Sequence, residues 1–251
     1  MYERFTVRER KVIVLHNTGS TNNDIKTMIQ NANEPVFAVI SARSQTGGRG
    51  RLGRYFFSPE GGLYFSVSFP LIGDEKNIPF ITLLAGLATA EALEELTGVK
   101  TQLKWPNDIY FNGKKLGGIL CELVSGKQLT AIVGIGINLT VGKEEIPPEL
   151  LSIMTSFTIE EIATPDESAL IKRITEKLDK YIYEKGELYD VKDITVEAIC
   201  KRSYSIGKKV KYTVGDTVCE GIITNITKTG AAEIALPDGT AKEIFCGEIT
   251  Q

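Results

Sequence analysis

Short apolar runs separated by Gly, Pro and Asn recur along this chain and read as strands, interrupted by three stretches of helical spacing. Val12-Ile13-Val14-Leu15 predicts a strand over 12–16, leading into a helix capped by Ser20 or Thr21. A strand over 36–42 follows, then Gly62-Leu63-Tyr64-Phe65-Ser66-Val67-Ser68-Phe69 as its returning partner. Ile81, Leu84, Ala85, Ala88, Ala92 and Leu96 fall near helical spacing and predict a helix over 78–97. A hairpin over 101–125 and a strand over 129–140 come next, and Gly142, Pro147 and Pro148 mark 141–153 as a loop. Thr164-Pro165-Asp166-Glu167 carries a capping box with proline at the first helical position. It opens a helix running to about Leu188, with Ile171, Ile174, Leu178 and Ile182 on one face. After Arg202 the period changes to short alternating runs: 209–214, the turn Gly215-Asp216, 217–226, 232–236, the turn Pro237-Asp238-Gly239, and 241–245. Many strands with few intervening helices predict an α+β fold with a mixed, largely antiparallel sheet. The last segment predicts a small β-barrel or sandwich that must pack on the rest, since fewer than about 50 residues bury too little surface alone. The division falls at 1–203 and 204–251.

Length and charge narrow the function classes. At 251 residues there is room for one large core and a satellite. A net charge of −3 gives no whole-molecule attraction for nucleic acid. No apolar run approaches the ~20 residues of a membrane span, and the charged stretch Met1 to Arg10 has no secretory apolar segment. Cys121, Cys200, Cys219 and Cys246 are far apart and form no Cys-x-x-Cys, which predicts reduced thiols in the cytoplasm. The single histidine, His16, follows an apolar strand and reads as a structural residue. With one histidine, a protein-held metal site is not expected.

Three segments carry chemistry. Gln45-Thr46-Gly47-Gly48-Arg49-Gly50-Arg51-Leu52-Gly53-Arg54 holds four glycines and three arginines with no acid. Glycine allows close backbone approach, and arginine supplies a fork of donors for carboxylate and phosphate. The loop reads either as a lid for a small anion or as a basic surface loop. Lys104-Trp105-Pro106-Asn107-Asp108 precedes Asn112-Gly113, the dipeptide of a type I′ hairpin turn. Asp108 and Lys115 therefore begin neighbouring strands, and Gly117-Gly118 weakens the second strand unless something approaches its backbone. Val133-Gly134-Ile135-Gly136-Ile137-Asn138 lacks the third glycine of a dinucleotide loop and fits a strand whose glycine face lies against a flat ligand. Asn138 at its end could read an adenine edge.

In this order the segments resemble the biotin protein ligases, and Ser20-Thr21-Asn22 matches that family's Ser-Thr-Asn motif. The resemblance runs from about residue 12 to the end of the chain. It implies the class II synthetase-like fold of these ligases with an SH3-like C-terminal barrel. It also implies ATP-dependent transfer of biotin to a lysine of a biotin carboxyl-carrier protein or domain, of the acetyl-CoA or pyruvate carboxylase type, through biotinyl-5′-AMP. Mg²⁺ would enter with ATP, its protein ligands unassigned. By motif position, Ser20, Thr21, Asn22, Gln45, Gly48, Arg49, Arg51, Lys115, Gly117 and Gly118 would bind biotin. Arg49, Arg51, Arg54, Phe56, Asn107, Lys115 and Asn138 would bind the nucleotide, Phe56 by stacking where many relatives carry tryptophan. Lys115, Arg51 and Asp108 would be catalytic: Lys115 between carboxylate and α-phosphate, Arg51 as the latch of the loop, Asp108 on the incoming lysine. Thr140 stands where relatives carry a second asparagine and inherits no role. About ten residues precede the first strand, too few for a helix-turn-helix, so DNA binding is not expected; relatives are often homodimers. Three rivals remain. A lipoate ligase or octanoyl transferase would lack this Gly/Arg loop, and the transferase would need Cys121 as nucleophile rather than as packing. A non-enzymatic biotin or nucleotide sensor would not need both Lys115 and Asp108, and an RNA-binding module would need more clustered basic and aromatic residues.

Overall fold

In the computed structural model, residues 6–7, 10–71, 80–184, 191–214 and 217–249 are described. Their order is β1 (Thr6–Val7), β2 (Arg10–Thr18), α1 (Thr21–Asn31), β3 (Ala38–Gln45), β4 (Gly62–Pro70), α2 (Ile81–Thr97), β5 (Gln102–Lys104), β6 (Asp108–Phe111), β7 (Lys114–Val124), β8 (Thr130–Asn138), α3 (Glu167–Asp179), α4 (Asp193–Lys201), β9 (Lys209–Val214), β10 (Thr217–Ile226), β11 (Ala232–Ala235), β12 (Ala241–Ile244) and β13 (Glu248–Ile249). An eight-stranded sheet runs β1-β2-β3-β4-β8-β7-β6-β5, with β2 and β3 parallel and the other pairs antiparallel. The predicted α+β class with a mixed sheet is the one observed. A five-stranded antiparallel sheet, β12-β11-β10-β9-β13, follows it.

Side-chain alternation divides the large sheet into a core face and a site face. Leu63, Phe65, Val67 and Phe69 of β4, with Val133, Ile135 and Ile137 of β8, point to the core shared with α2 and α3. That core continues into the small sheet through Val210, Tyr212, Ile223, Ile226 and Ile234. On the opposite face α1 covers only part of the sheet, packing Ile25 and Ile29 on Ile40, Val124 and Ile132. Asn22 of α1 also lies over Gly134, and the remainder of that face carries Gly136, Gly118 and Asp108.

Several boundaries differ from the sequence reading. α3 is capped by Asp166, whose Oδ1 accepts from Ala169 N at 2.7 Å, so Pro165 lies ahead of the helix and Thr164 is not its cap. The helix passes into a π turn at Lys180–Glu184; the expected continuation over 185–188 lies outside the described residues, as do 78–79 and the turn Gly215-Asp216. Leu96 on α2 is exposed because the core side of that helix is filled by Leu84, Ala88 and Ala92. The loop at 141–153 contains two short 3-10 turns. His16 is exposed, its Nε2 3.5 Å from Glu60 Oε1, rather than satisfied within the structure. Neither α4 nor β1 was signalled by periodicity.

Candidate active site

The Asn112-Gly113 turn forms as predicted, with φ of 47° and 76°, and sets β6 against β7. The pairing then slips: Ile109 faces Gly117 while Tyr110 faces Lys115, so Leu116 is an extra residue on β7. This bulge carries the chemistry. Strict alternation would place Lys115 on the face opposite Gly118; one extra residue returns both to the same face. Asp108 pairs with Gly118 and therefore points there too. Lys115 Nζ ends 2.7 Å from Asp108 Oδ1, with the side chains 30% and 21% exposed. The approach is off the hydrogen-bonding direction, so buried Oδ1 is left without an aligned donor.

Directly opposed pairs continue across the sheet as Tyr64, Gly136, Gly118, Asp108 and Lys104. The two glycines make a flat floor, and the Phe56 ring lies on it. A Cβ added at Gly136 would come 2.5 Å from Phe56 Cε1, and one at Gly118 3.2 Å from Cε2. Lys115 Nζ sits 5.5 Å from the centre of the same ring. The glycine face thus meets a flat aromatic ring from its own chain. Gly117 behaves differently: its Cβ would strike Gly136 O on the neighbouring strand at 2.5 Å, so the pair does not line one surface together.

The Gly/Arg segment folds as a small hairpin of its own. Phe56 N donates to Gly48 O at 2.9 Å and Gly50 N to Arg54 O at 2.7 Å, while Leu52 and Gly53 take positive φ at the tip. Gly47 N donates to Gly19 O at 2.8 Å, tying the base to the start of α1. Arg49 Nη2 donates to Asn23 Oδ1. Arg51 is half-buried, and Arg49 and Arg54 are exposed.

Beneath the loop is a buried polar cluster. Thr21 N donates to Gln45 Oε1 at 3.0 Å; Thr21 Oγ1 lies 2.7 Å from Ser66 Oγ; Ser66 donates to Asn22 Oδ1 at 2.6 Å; Asn22 Nδ2 donates to Glu122 Oε2 at 2.7 Å. Gln45 Nε2 donates to Ser58 Oγ at 3.2 Å. Ser20 is buried at the N-cap of α1. Ser66 and Glu122 were not among the sequence candidates. At the other end, Asn138 Nδ2 donates to Thr155 O at 2.9 Å, leaving buried Oδ1 without a partner. Asn107 Nδ2 is committed to Ile119 O at 3.0 Å. Cys121 packs against the core, and burial pushes its thiol up to about 12, which removes it as a nucleophile near neutral pH. Among the described residues no group of three His, Cys, Asp or Glu could hold a metal.

A family model described as the biotin/lipoate A/B protein ligase family matches residues 14–138. The bifunctional ligase/repressor BirA of Bacillus subtilis is 38% identical over 150 residues, covering 58% of this chain and 46% of that protein. The biotin–[acetyl-CoA-carboxylase] ligase of Mycobacterium tuberculosis is 31% identical over 184 residues, covering 70% and 65% respectively. The chain thus matches about half to two thirds of the length of these curated relatives. Among solved structures, the biotin protein ligase from Aquifex aeolicus in complex with biotin and ATP is 34% identical, with a TM-score of 0.77, covering 95% of this chain and 97% of that one. The Leishmania major enzyme in complex with biotinyl-5-AMP is 26% identical, with a TM-score of 0.63 and coverage of 93% and 98%.

Proposed function

Since the chain belongs to the biotin protein ligase family, we propose that it attaches biotin to a lysine of a carboxylase carrier protein, using ATP and a biotinyl-5′-AMP intermediate. The observation that carries this reading is the Asp108–Lys115 pair, set by a bulge at one edge of a glycine floor. In the first step a carboxylate oxygen of biotin attacks the α-phosphorus of ATP, and pyrophosphate leaves. Two anions must meet, so cations are required. Lys115 turns from Asp108 to the reacting oxygens, and Arg49, Arg51 and Arg54 reach the phosphates from the loop above. Mg²⁺, entering with ATP, supplies further charge neutralisation at the phosphates. Thr21, Ser20 and Gln45 hold the ureido end, and the unpartnered Asn138 Oδ1 suits the exocyclic amine of adenine. In the second step the carrier lysine attacks the acyl carbon, AMP leaves, and the proton of the amine passes to a base. Asp108 Oδ1, without an aligned donor, suits an incoming ammonium.

The catalytic unit is assigned to 1–203 and a small SH3-like unit to 204–251. A protein rather than nucleic-acid partner accords with the net charge of −3, and unpaired cysteines accord with the cytoplasm. No helix among the described residues is long and apolar enough to cross a membrane. Incubation with ATP, Mg²⁺ and biotin should yield biotinyl-AMP by mass spectrometry; its absence, with the protein folded, would rule the reading out. Sedimentation velocity would decide whether a homodimer forms.

A further inference from the structure

The hydrogens of the polar cluster under the loop are fixed by its chain of contacts. A carboxylate can only accept, so Glu122 fixes Asn22 with Nδ2 towards it and Oδ1 towards Ser66. Leu120 O, 3.3 Å from the same Nδ2, opposes a flipped amide. Ser66 has one hydroxyl hydrogen, and at 2.6 Å it is given to Asn22 Oδ1. The 2.7 Å contact between Ser66 and Thr21 must then be a donation by Thr21. That commits the only hydroxyl hydrogen of Thr21; its other neighbour, Gln45 Oε1, is longer at 3.2 Å and already accepts from Thr21 N. Thr21 Oγ1 therefore has only lone pairs to offer. Gln45 is fixed in the same way. Ser58 donates to Phe56 O at 2.9 Å, so it can only accept from Gln45 Nε2, which keeps one hydrogen over.

We infer that Ser66, Asn22 and Glu122 are positioning residues that hold the Thr21 hydroxyl as an acceptor, so that with Gln45 as donor the site selects a cyclic urea by its adjacent N–H and C=O. This deepens the biotin reading and rests on it. A site with fixed donors and acceptors rejects an isostere with one group inverted far more strongly than an apolar pocket rejects a change of size. Ser66→Ala frees the Thr21 hydrogen to turn towards the ligand, and Glu122→Lys replaces the acceptor facing Asn22 with a group that only donates, which draws Asn22 Oδ1 towards it and reverses the chain.

The test compares biotin with its two cyclic-carbamate isosteres, each having one ring N–H replaced by oxygen, by calorimetry on the full chain. Wild type should prefer biotin over the isostere whose oxygen faces Thr21 by a factor on the order of 10⁴. In Ser66→Ala and in Glu122→Lys that ratio should fall at least about tenfold. The KM for ATP and the kcat for adenylate formation should be unchanged. A purely structural role would weaken both ligands alike and leave the ratio intact. A ratio unchanged in both variants, or a wild-type ratio near unity, overturns the inference while leaving biotin binding in place. A folded wild type that binds no biotin removes the underlying reading as well.

Discussion

Lys115 and Asp108 meet because each is presented by a different strand, and their removal should have different consequences. An electrostatic contact made to the developing charge is typically worth ~2.7–4 kcal/mol. Lys115→Ala should therefore slow single-turnover biotinyl-AMP synthesis by about 10²–10³-fold, read by rapid quench with biotin and ATP saturating. Near-wild-type turnover would exclude Lys115 from the reacting centre. Cys121 allows a test by pH. Burial raises its thiol to about 12, so the folded protein keeps it protonated and unreactive to iodoacetamide at pH 8, whereas exposed Cys246 should be alkylated. Desolvation also raises Tyr110 to about 12. In both cases the unfolded chain loses its proton first, so their contribution to stability is intact below about pH 8.5, the ordinary thiol value. It should be lost progressively as pH rises towards 12, visible as a falling denaturation midpoint. Lys115 and Asp108 could be read from the chain because a hairpin dipeptide lay between them. Ser66 and Glu122 could not: a serine in an alternating strand reads as a solvent-facing position, and only the helix lying over Gly134 buries it.

At the scale of elements, the bulge at Leu116 was the least legible feature, since the run Lys114 to Leu120 is equally compatible with a regular strand. The turn at Asn112-Gly113 was legible because positive φ at two successive residues demands that chemistry. The glycines of β7 and β8 were visible as glycines, but not which way each one faced. That distinction is measurable. Gly117→Ala drives a methyl into the backbone carbonyl of Gly136 and should cost roughly 1–3 kcal/mol of stability. Gly136→Ala meets the Phe56 ring instead, a side chain able to rotate. It should cost less stability but more ligand affinity, because the displaced ring enters the space above the floor. Chemical denaturation beside biotin titration would separate the two; equal effects of both variants on both measurements would contradict this assignment of faces.

For the whole molecule, one buried ion pair ties β2 of the large sheet to the helix layer. Arg10 Nη1 lies 2.7 Å from Asp179 Oδ2, both side chains 2% exposed, and the guanidinium stacks 4.9 Å from the Phe69 ring. Asp179→Ala leaves a buried cation unpaired and should cost about 3–5 kcal/mol, whereas the double change Arg10→Met, Asp179→Leu should recover most of that. An exposed pair would give under ~1 kcal/mol and no recovery. The pairing was invisible in the sequence because 169 residues separate its members. The switch to short strands after Arg202 was visible, but not that the two sheets share one core, nor that Trp105 Nε1 reaches Gly230 O at 3.1 Å across them. The row from Tyr64 through Gly136, Gly118 and Asp108 to Lys104 has a further consequence. Its members come from five strands and share a face only when every ladder is in step. A molecule with one strand out of step can still be compact, yet its row is broken and it cannot turn over. On the proposed activity, active-site titration of any preparation therefore counts the molecules whose sheet closed in the right register, an assay of folding fidelity that the protein performs on itself.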